Sequence, residues 1–139
     1  WALFWGAAPD LFSFGLLIIA QIITLEFSIG RPSVTSIPWW VYINYDITHS
    51  FVSAFIVIGM VFRVNRKYAF AMLGWPFHIC LDFPFHSKEF FPTKLFWPLT
   101  DFSFDGIPWS RPEIWFPNIA GIILLFIWRW HQNRTKNLS

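Results

Sequence analysis

The chain has 139 residues and a formal net charge of +2; 55% of its residues are hydrophobic and only 13% are charged. A soluble domain has about 25% charged residues, so the composition excludes a disordered chain, a coiled coil and a highly charged nucleic-acid-binding protein. Phenylalanine occurs 18 times and tryptophan 10 times, which is more apolar surface than a water-soluble monomer buries. One cysteine, Cys80, excludes an internal disulfide. The composition predicts a multi-pass membrane protein without a nucleic-acid partner.

Four apolar stretches follow one another along the chain, each near the ~17–25 residues of a membrane-spanning helix. They cover residues 14–27, 47–62, 68–85 and 114–130. The first eight residues, WALFWGAA, have the composition of a helix end and stop at Pro9. We therefore predict an all-α membrane bundle of about three to five helices, which forms one integral membrane domain over residues 1–139. We also expect that the numbering begins inside a longer or processed chain.

The first stretch raises a question of topology. If residues 11–27 crossed the membrane from the outer side, the chain would have to return across it before residue 47. That return would leave polar backbone exposed to lipid, which membrane proteins avoid. We therefore expect residues 11–27 to be interfacial or re-entrant. Near its end, Glu26 is expected to pair with Arg31.

Prolines predict where the third helix ends and an irregular loop begins. Pro84 cannot lie inside a regular helix and biases Phe83 away from helical geometry. Residues 84–112 are rich in proline and aromatic side chains. Because tryptophan and phenylalanine are at home at the membrane interface, we predict an ordered, irregular surface loop in this segment.

Two basic clusters predict the orientation. One lies between the second and third stretches and the other follows the fourth: Arg63, Arg66 and Lys67, and Arg129, Arg134 and Lys136. By the positive-inside rule both ends are cytoplasmic. The proline-rich loop is then on the outer side.

The segment from His78 to His86 carries the strongest chemical signal. His78 and Asp82 are four residues apart, so they project from one face of a helix, and His86 follows four residues later. Imidazole and carboxylate groups that converge in this way suit zinc or a similar divalent ion. The alternative is a structural His–Asp pair without a metal.

Other ionisable residues lie at the ends of apolar stretches, where an unpaired charge is costly. His49 follows Asp46 in the segment DITHS, and Asp10 follows Pro9. Each has a structural alternative: His49 as a packing histidine and Asp10 as a helix N-cap. Three further residues also have a structural interpretation: Asp101 and Asp105 as turn residues, and His131 as a solvated residue of the basic tail.

Several motifs resemble those of the bacterial membrane-bound metal-dependent hydrolase family. They are PDLFSFG at 9–15, YDITHSF at 45–51, HICLDFPFHS at 78–87 and FFPTKLFWPLTDFSFDGIPW at 90–109. The family consists of small multi-pass inner-membrane proteins and is thought to be distantly related to zinc-dependent phospholipases C and nucleases. The resemblance spans about residues 5–110. It implies a location in the bacterial inner membrane.

The resemblance also implies metal ligands at individual positions. Asp10 matches the family's Pro-Asp motif, His49 its Thr-His-Ser motif, and His78 with Asp82 its His-x-x-x-Asp helix. His86 is similar to a histidine that follows in the closest relatives. The chain departs from the family at Phe12, where many members have a second acid, and at Asn44, where many have a histidine. These departures favour a mononuclear or degenerate site.

Three functions remain open from the sequence. The first is a membrane-embedded metal hydrolase that activates water to attack a phosphoester or lipid, with Asp46 or Asp101 as general base. The second is a non-catalytic subunit of a larger membrane complex, whose aromatic residues pack against lipids and partner subunits. The third is a haem- or pigment-binding subunit that uses His49 or His78 as an axial ligand.

Overall fold

The computed structural model describes residues 1–27 and 32–136, with side chains as far as Arg134. These residues form helices and connecting segments; the described part of the chain contains no strand, only an isolated bridge between Ser87 and Phe90. The prediction of an all-α fold is confirmed. The chain divides into two compact units, residues 1–106 and residues 107–139. The α-helices are α1 (Ala2–Asp10), α2 (Leu16–Ile23), α3 (Trp39–Thr48), α4 (Phe51–Val64), α5 (Arg66–Ala71), α6 (Gly74–Asp82) and α7 (Pro112–Lys136).

The first helix does not stop at Pro9, so that prediction is wrong. A π-helical turn, Leu11–Gly15, joins α1 to α2. A proline removes one helical hydrogen bond, and the wider π turn keeps the backbone helical past it; the Ser13 hydroxyl donates to the carbonyl oxygen of Pro9 at 2.8 Å. Asp10 has helical backbone angles and makes no side-chain capping bond, so the capping alternative is also wrong.

Residues 2–23 form one candidate membrane span. The segment Ala2–Ile23 is long and apolar enough to cross a membrane, judged by length and composition. The Trp1 ring packs edge-on against Tyr68, with ring centroids 5.4 Å apart, so α1 begins beside the start of α5. Residues 11–23 continue α1 as one helical run; an interfacial or re-entrant placement of residues 11–27 stays a prediction. The expected partner of Glu26, Arg31, lies outside the described residues.

The second stretch begins later than predicted and is preceded by α3, which is not one of the four predicted stretches. α3 and α4 together have the length and composition of a span, with a 59° bend between them. Ser50 caps α4, because its hydroxyl accepts from the backbone N–H of Val52 at 3.1 Å. The same hydroxyl donates to the carbonyl oxygen of Trp97 at 2.6 Å, so the proline-rich loop is tied to the bend.

The third stretch consists of α5 and α6. α6 ends at Asp82 and a 3-10 turn, Phe83–Phe85, contains Pro84, so the predicted helix end near Pro84 is confirmed. The segment 86–111 is an irregular loop with neither helix nor strand among its residues, as predicted.

Helices α1 and α6 cross at two glycines. A Cβ atom added at Gly74 would lie against the carbonyl oxygen of Ala2 and 3.0 Å from the amide nitrogen of Gly6. The backbones therefore approach closely only because Gly74 has no side chain. The Trp5 ring stacks on Trp75 beside this crossing, with centroids 5.8 Å apart.

The second unit contains α7, which has Pro117 in its interior. The segment Pro112–Arg134 is the second candidate span among the described residues. It is long and apolar enough to cross a membrane, and none of the residues in its most apolar part is buried. The two candidate spans are compatible with the predicted membrane protein.

Candidate metal centre

Three residues from separate parts of the sequence meet in the first unit. Asp10 ends α1, His49 lies between α3 and α4, and His78 lies in α6. One ligand atom from each of the three residues lies within 4.8 Å of the other two. The sequence predicted all three as metal ligands.

The distances between their ligand atoms fit a small divalent ion. The Nε2 atoms of His49 and His78 are 3.3 Å apart. Oδ1 of Asp10 lies 3.5 Å from Nε2 of His49 and 3.8 Å from Nε2 of His78. Ligands about 2.0–2.1 Å from a tetrahedral zinc ion are separated by roughly 3.3 Å. These three donors therefore fit a zinc-like ion with little rearrangement.

The crossing of α1 and α6 at Gly6 and Gly74 positions two of the three donors. Asp10 follows Gly6 by four residues and His78 follows Gly74 by four, so both side chains lie one helical turn beyond the crossing. The indole Nε1 of Trp75 donates to the carbonyl oxygen of Thr48 at 2.6 Å. This bond ties α6 to the end of α3, beside His49.

His49 is fully buried, and its hydrogen bonds define its tautomer. Its Nδ1 lies 3.1 Å from the carbonyl oxygen of Tyr45 and 3.0 Å from the Thr48 hydroxyl. The Thr48 hydroxyl donates its own hydrogen to the carbonyl oxygen of Asn44 at 2.8 Å, so Nδ1 must be the donor. The lone pair of a neutral His49 then lies on Nε2, the atom that faces Asp10 and His78. A ligand histidine commonly donates its other N–H to a backbone carbonyl in this way.

Asp82 extends the cluster away from Asp10. Its Oδ2 lies 3.5 Å from Nε2 of His49 and 3.4 Å from the Tyr45 hydroxyl, which donates to it. The carboxylates of Asp10 and Asp82 and the imidazole of His78 therefore surround the Nε2 atom of His49. A cation between them would offset the repulsion of the two carboxylates.

His86 contacts Asp82 directly. Its Nε2 is 3.0 Å from Oδ2 of Asp82, and its Nδ1 is 2.9 Å from the carbonyl oxygen of Phe91. Both partners are acceptors, so His86 satisfies both as a doubly protonated imidazolium. Burial lowers the pKa of His86, but the hydrogen bond to Asp82 and its charge outweigh burial and raise that pKa above its usual value. In this arrangement His86 orients Asp82; its predicted role as a ligand stays a prediction.

The two predicted general bases share one cation. Nζ of Lys94 donates to Asp46 at 2.9 Å and lies 3.3 Å from Asp101. Burial lowers the pKa of Lys94, but the hydrogen bond to Asp46 and the charges of both carboxylates raise it overall. This ion pair connects α3 to the loop. A role for either of them as a base stays a prediction.

Asp105 and Gly106 connect two parts of the loop. Its carboxylate accepts from the backbone N–H of Lys88 at 2.8 Å, and the N–H of Gly106 donates to the carbonyl oxygen of His86 at 2.8 Å. The two positions that depart from the family pattern are neighbours, because the Asn44 side-chain amide donates to the carbonyl oxygen of Phe12 at 3.5 Å.

Sequence reasoning missed Tyr45 and Thr93, whose hydroxyl groups are 2.8 Å apart. A signal for Tyr45 was present, since it precedes His49 by one helical turn. Thr93 lies in the loop, 48 residues from Tyr45, and no sequence pattern links the two.

Comparison of the chain with protein-family models, with curated proteins and with solved structures finds no match.

Proposed function

We propose that the chain is a membrane-embedded, metal-dependent hydrolase whose centre is formed by Asp10, His49 and His78. The observation that carries this proposal is the convergence of their ligand atoms within 4.8 Å. The three donors come from segments far apart in sequence, so their meeting is a property of the fold and not of local spacing. The motifs that resemble the membrane-bound metal-dependent hydrolase family include all three residues.

The position of Asp10 supports a function for this cluster. Asp10 lies in the interior of the candidate span Ala2–Ile23. A carboxylate at such a depth is costly unless it is paired, hydrated or bound to a cation. Two imidazole Nε2 atoms within 3.8 Å supply part of that pairing, and a divalent ion would supply the rest.

The residues of the chain have distinct tasks in the proposed reaction. A bound zinc ion supplies Lewis-acid activation of water and of a phosphoryl or acyl oxygen. His49 and His78 act as neutral nitrogen donors, and His49 keeps the required tautomer through the Tyr45 carbonyl. The Asp10 side chain is 54% exposed, so the substrate approaches from its side. Asp82, which contacts His86 and lies 3.5 Å from Nε2 of His49, is a further candidate general base in addition to Asp46 and Asp101.

An apolar groove supports an amphipathic substrate. It has a volume of about 790 Å³ and is lined by α4, α6 and Phe96 of the loop. Phe51 and Phe77 line this groove; Phe51 lies two residues after His49, and Phe77 directly precedes His78. We propose that the acyl chain of a lipid substrate occupies this groove. We therefore propose a phosphoester or other lipid as the substrate and the bacterial inner membrane as the location.

The decisive experiment measures metal content and hydrolysis in the same preparations. Detergent-purified protein is expected to hold about one zinc per chain by elemental mass spectrometry. His78→Ala removes one of three donors and should lower the zinc content several-fold, as should Asp10→Asn. His131→Ala, in α7, is the matched control and should keep its zinc.

Hydrolysis is then assayed with phospholipid in mixed micelles, using zinc-loaded protein and protein treated with a chelator. Turnover by the loaded protein, absent from the chelated protein and from His78→Ala, would support the hydrolase. Stoichiometric zinc without turnover on phosphoester or acyl-ester lipids would contradict the hydrolase and leave a structural metal centre. A protein without zinc contradicts both.

The second unit favours one alternative function, a non-catalytic subunit of a membrane complex. The apolar window of Pro112–Arg134 has no buried residue within the chain, and its exposed side chains include Trp115, Phe126 and Trp128. Such a helix packs against lipid or against another subunit. Co-purification of a membrane partner at fixed stoichiometry, unchanged in His78→Ala, would favour this alternative.

A further inference from the structure

Tyr45 contacts the metal-ligand cluster in two ways. Its ring stacks on the His49 imidazole, with centroids 3.9 Å apart and planes 16° from parallel. Its hydroxyl lies 2.8 Å from the Thr93 hydroxyl and 3.4 Å from Oδ2 of Asp82. Tyr45 is only 1% exposed, so both contacts are shielded from solvent.

The ring contact restricts the orientation of His49. A histidine side chain rotates about two bonds, and the hydrogen bond of Nδ1 to the Tyr45 carbonyl fixes only one ring atom. Stacking against the flat face of Tyr45 fixes the plane in which Nε2 lies. Phe14 and Phe91 pack against the other parts of the Tyr45 ring, with centroids 5.7 and 5.0 Å away, so the ring itself has little freedom.

The hydroxyl contact orients a carboxylate. The Thr93 hydroxyl can donate to the Tyr45 oxygen, which leaves the Tyr45 hydrogen for Asp82. This chain of hydrogen bonds and the contact of His86 with Asp82 act on the same atom, Oδ2. That atom lies 3.5 Å from Nε2 of His49. Tyr45 therefore contacts both the His49 ring and the Asp82 carboxylate, the two groups whose facing atoms are 3.5 Å apart.

We propose that Tyr45 is a positioning residue of the metal centre: its ring fixes the His49 imidazole, one of the three donors, and its hydroxyl orients the Asp82 carboxylate beside that donor. The inference rests on the proposed metal centre and deepens it. A group that orients ligands before binding raises affinity because less conformational freedom is lost when the ion arrives. Loss of such an outer partner weakens metal binding by about 10–100-fold.

The experiment compares Tyr45→Phe, Tyr45→Leu and Tyr42→Phe. Tyr45→Phe keeps the stacked ring and removes the hydroxyl, and Tyr45→Leu removes the ring as well. Tyr42→Phe is the matched control, since Tyr42 lies on the same helix and its hydroxyl donates to the carbonyl oxygen of Val34. Zinc affinity is measured by chelator competition. The visible absorption of Co²⁺-loaded protein reports the coordination geometry.

We expect about tenfold weaker zinc binding and an altered Co²⁺ spectrum for Tyr45→Phe, a larger loss for Tyr45→Leu, and wild-type values for Tyr42→Phe. The thermal unfolding transition of each variant separates positioning from misfolding, because Tyr45→Phe should unfold in one transition like the wild type. If Tyr45→Phe has the zinc affinity and Co²⁺ spectrum of the wild type, the positioning role of Tyr45 is wrong, while the proposed metal centre is unaffected. Weakened binding in a protein without hydrolytic activity would support it and overturn the hydrolase; a wild type that binds neither ion would overturn both.

Discussion

The carboxylates of the first unit have different partners, and these partners assign them different tasks. Asp10 faces two imidazole nitrogens, Asp82 faces the His86 imidazole, and Asp46 faces the Lys94 ammonium. Of these three carboxylates, Asp10 has the most exposed side chain, at 54%. The open side of the proposed metal centre is therefore at Asp10, while Asp46 belongs to an ion pair that holds the loop.

The Lys94 ion pair predicts a pH-dependent contribution to stability. The pKa of Lys94 is raised above 10.5 in the folded protein, so the stabilisation is complete below pH 10.5 and is lost as pH rises through the folded pKa. Because the pair is partly exposed, it contributes about 1 kcal/mol or less. Lys94→Gln should lower the thermal stability near pH 8, and the difference from wild type should shrink as the pH exceeds about 10.5.

Lys88→Gln is the matched control for this measurement, because the bond from Lys88 to Asp105 uses the backbone N–H and survives the substitution. The melting temperature of this variant should follow the wild type across the same pH range. A Lys94→Gln deficit that stays constant up to pH 11 or so would show that the lost contact is not the ion pair.

At the residue scale, the sequence predicted the candidate metal ligands but not the residues that contact and orient them. His49, His78 and Asp10 carry donor atoms that are rare in an apolar chain, so their chemistry is visible in the sequence. Thr93 and Tyr45 carry hydroxyl groups, which have many structural uses and no distinctive spacing. Their role follows from a contact between α3 and the loop, and such a long-range contact leaves no local pattern.

At the scale of elements, the crossing of α1 and α6 sets the positions of two donors of the proposed metal centre. Asp10 and His78 each lie one turn beyond Gly6 and Gly74, so any change in the separation of the helices moves both donors. The two glycines are not equivalent. A Cβ atom at Gly74 would meet the backbone of α1, whereas one at Gly6 would lie 3.9 Å from the carbonyl oxygen of Gly74, an ordinary contact.

This difference predicts unequal effects of two alanine substitutions. Gly74→Ala must push the backbones of α1 and α6 apart, and overpacking of this kind costs about 1–3 kcal/mol. It should lower the melting temperature and reduce the zinc content together. Gly6→Ala should leave both near wild type, and Gly59→Ala, with no atom within 4 Å of its Cβ, serves as a neutral control. A Gly74→Ala protein with full zinc content would show that the crossing does not set the Asp10–His78 distance.

The elements themselves were partly predictable. The end of α6 near Pro84 and the irregular loop follow from local backbone chemistry, because proline cannot continue a regular helix. Pro9 has the same chemistry, yet α1 continues past it through a π turn. The difference is tertiary: α1 packs along α6, and the Ser13 hydroxyl bonds to the Pro9 carbonyl oxygen. Local preference alone cannot weigh those contacts, so it places a helix end where the packed chain has none.

At the scale of the whole molecule, the first unit has two chemically different ends. The start of α1 and the start of α5 lie together, as the contact of Trp1 with Tyr68 shows, and Arg63, Arg66 and Lys67 are at that end. The metal-ligand cluster lies a helical turn beyond the α1–α6 crossing, and the loop with Lys94 connects to it through Ser50. If the positive-inside rule holds, the basic end is cytoplasmic and the loop is on the outer side.

This orientation predicts the accessibility of two introduced cysteines. Lys88→Cys in the loop and Arg66→Cys at the start of α5 are made in a Cys80→Ser background, because Cys80 is exposed. In spheroplasts, a membrane-impermeant maleimide should label the chain at position 88 and not at position 66; after permeabilisation it should label both. The reverse pattern would invert the proposed orientation, since basic residues would then be outside. Labelling of both positions in sealed spheroplasts would show that no membrane separates them, and α4 to α6 would then have to lie along the surface instead of crossing it.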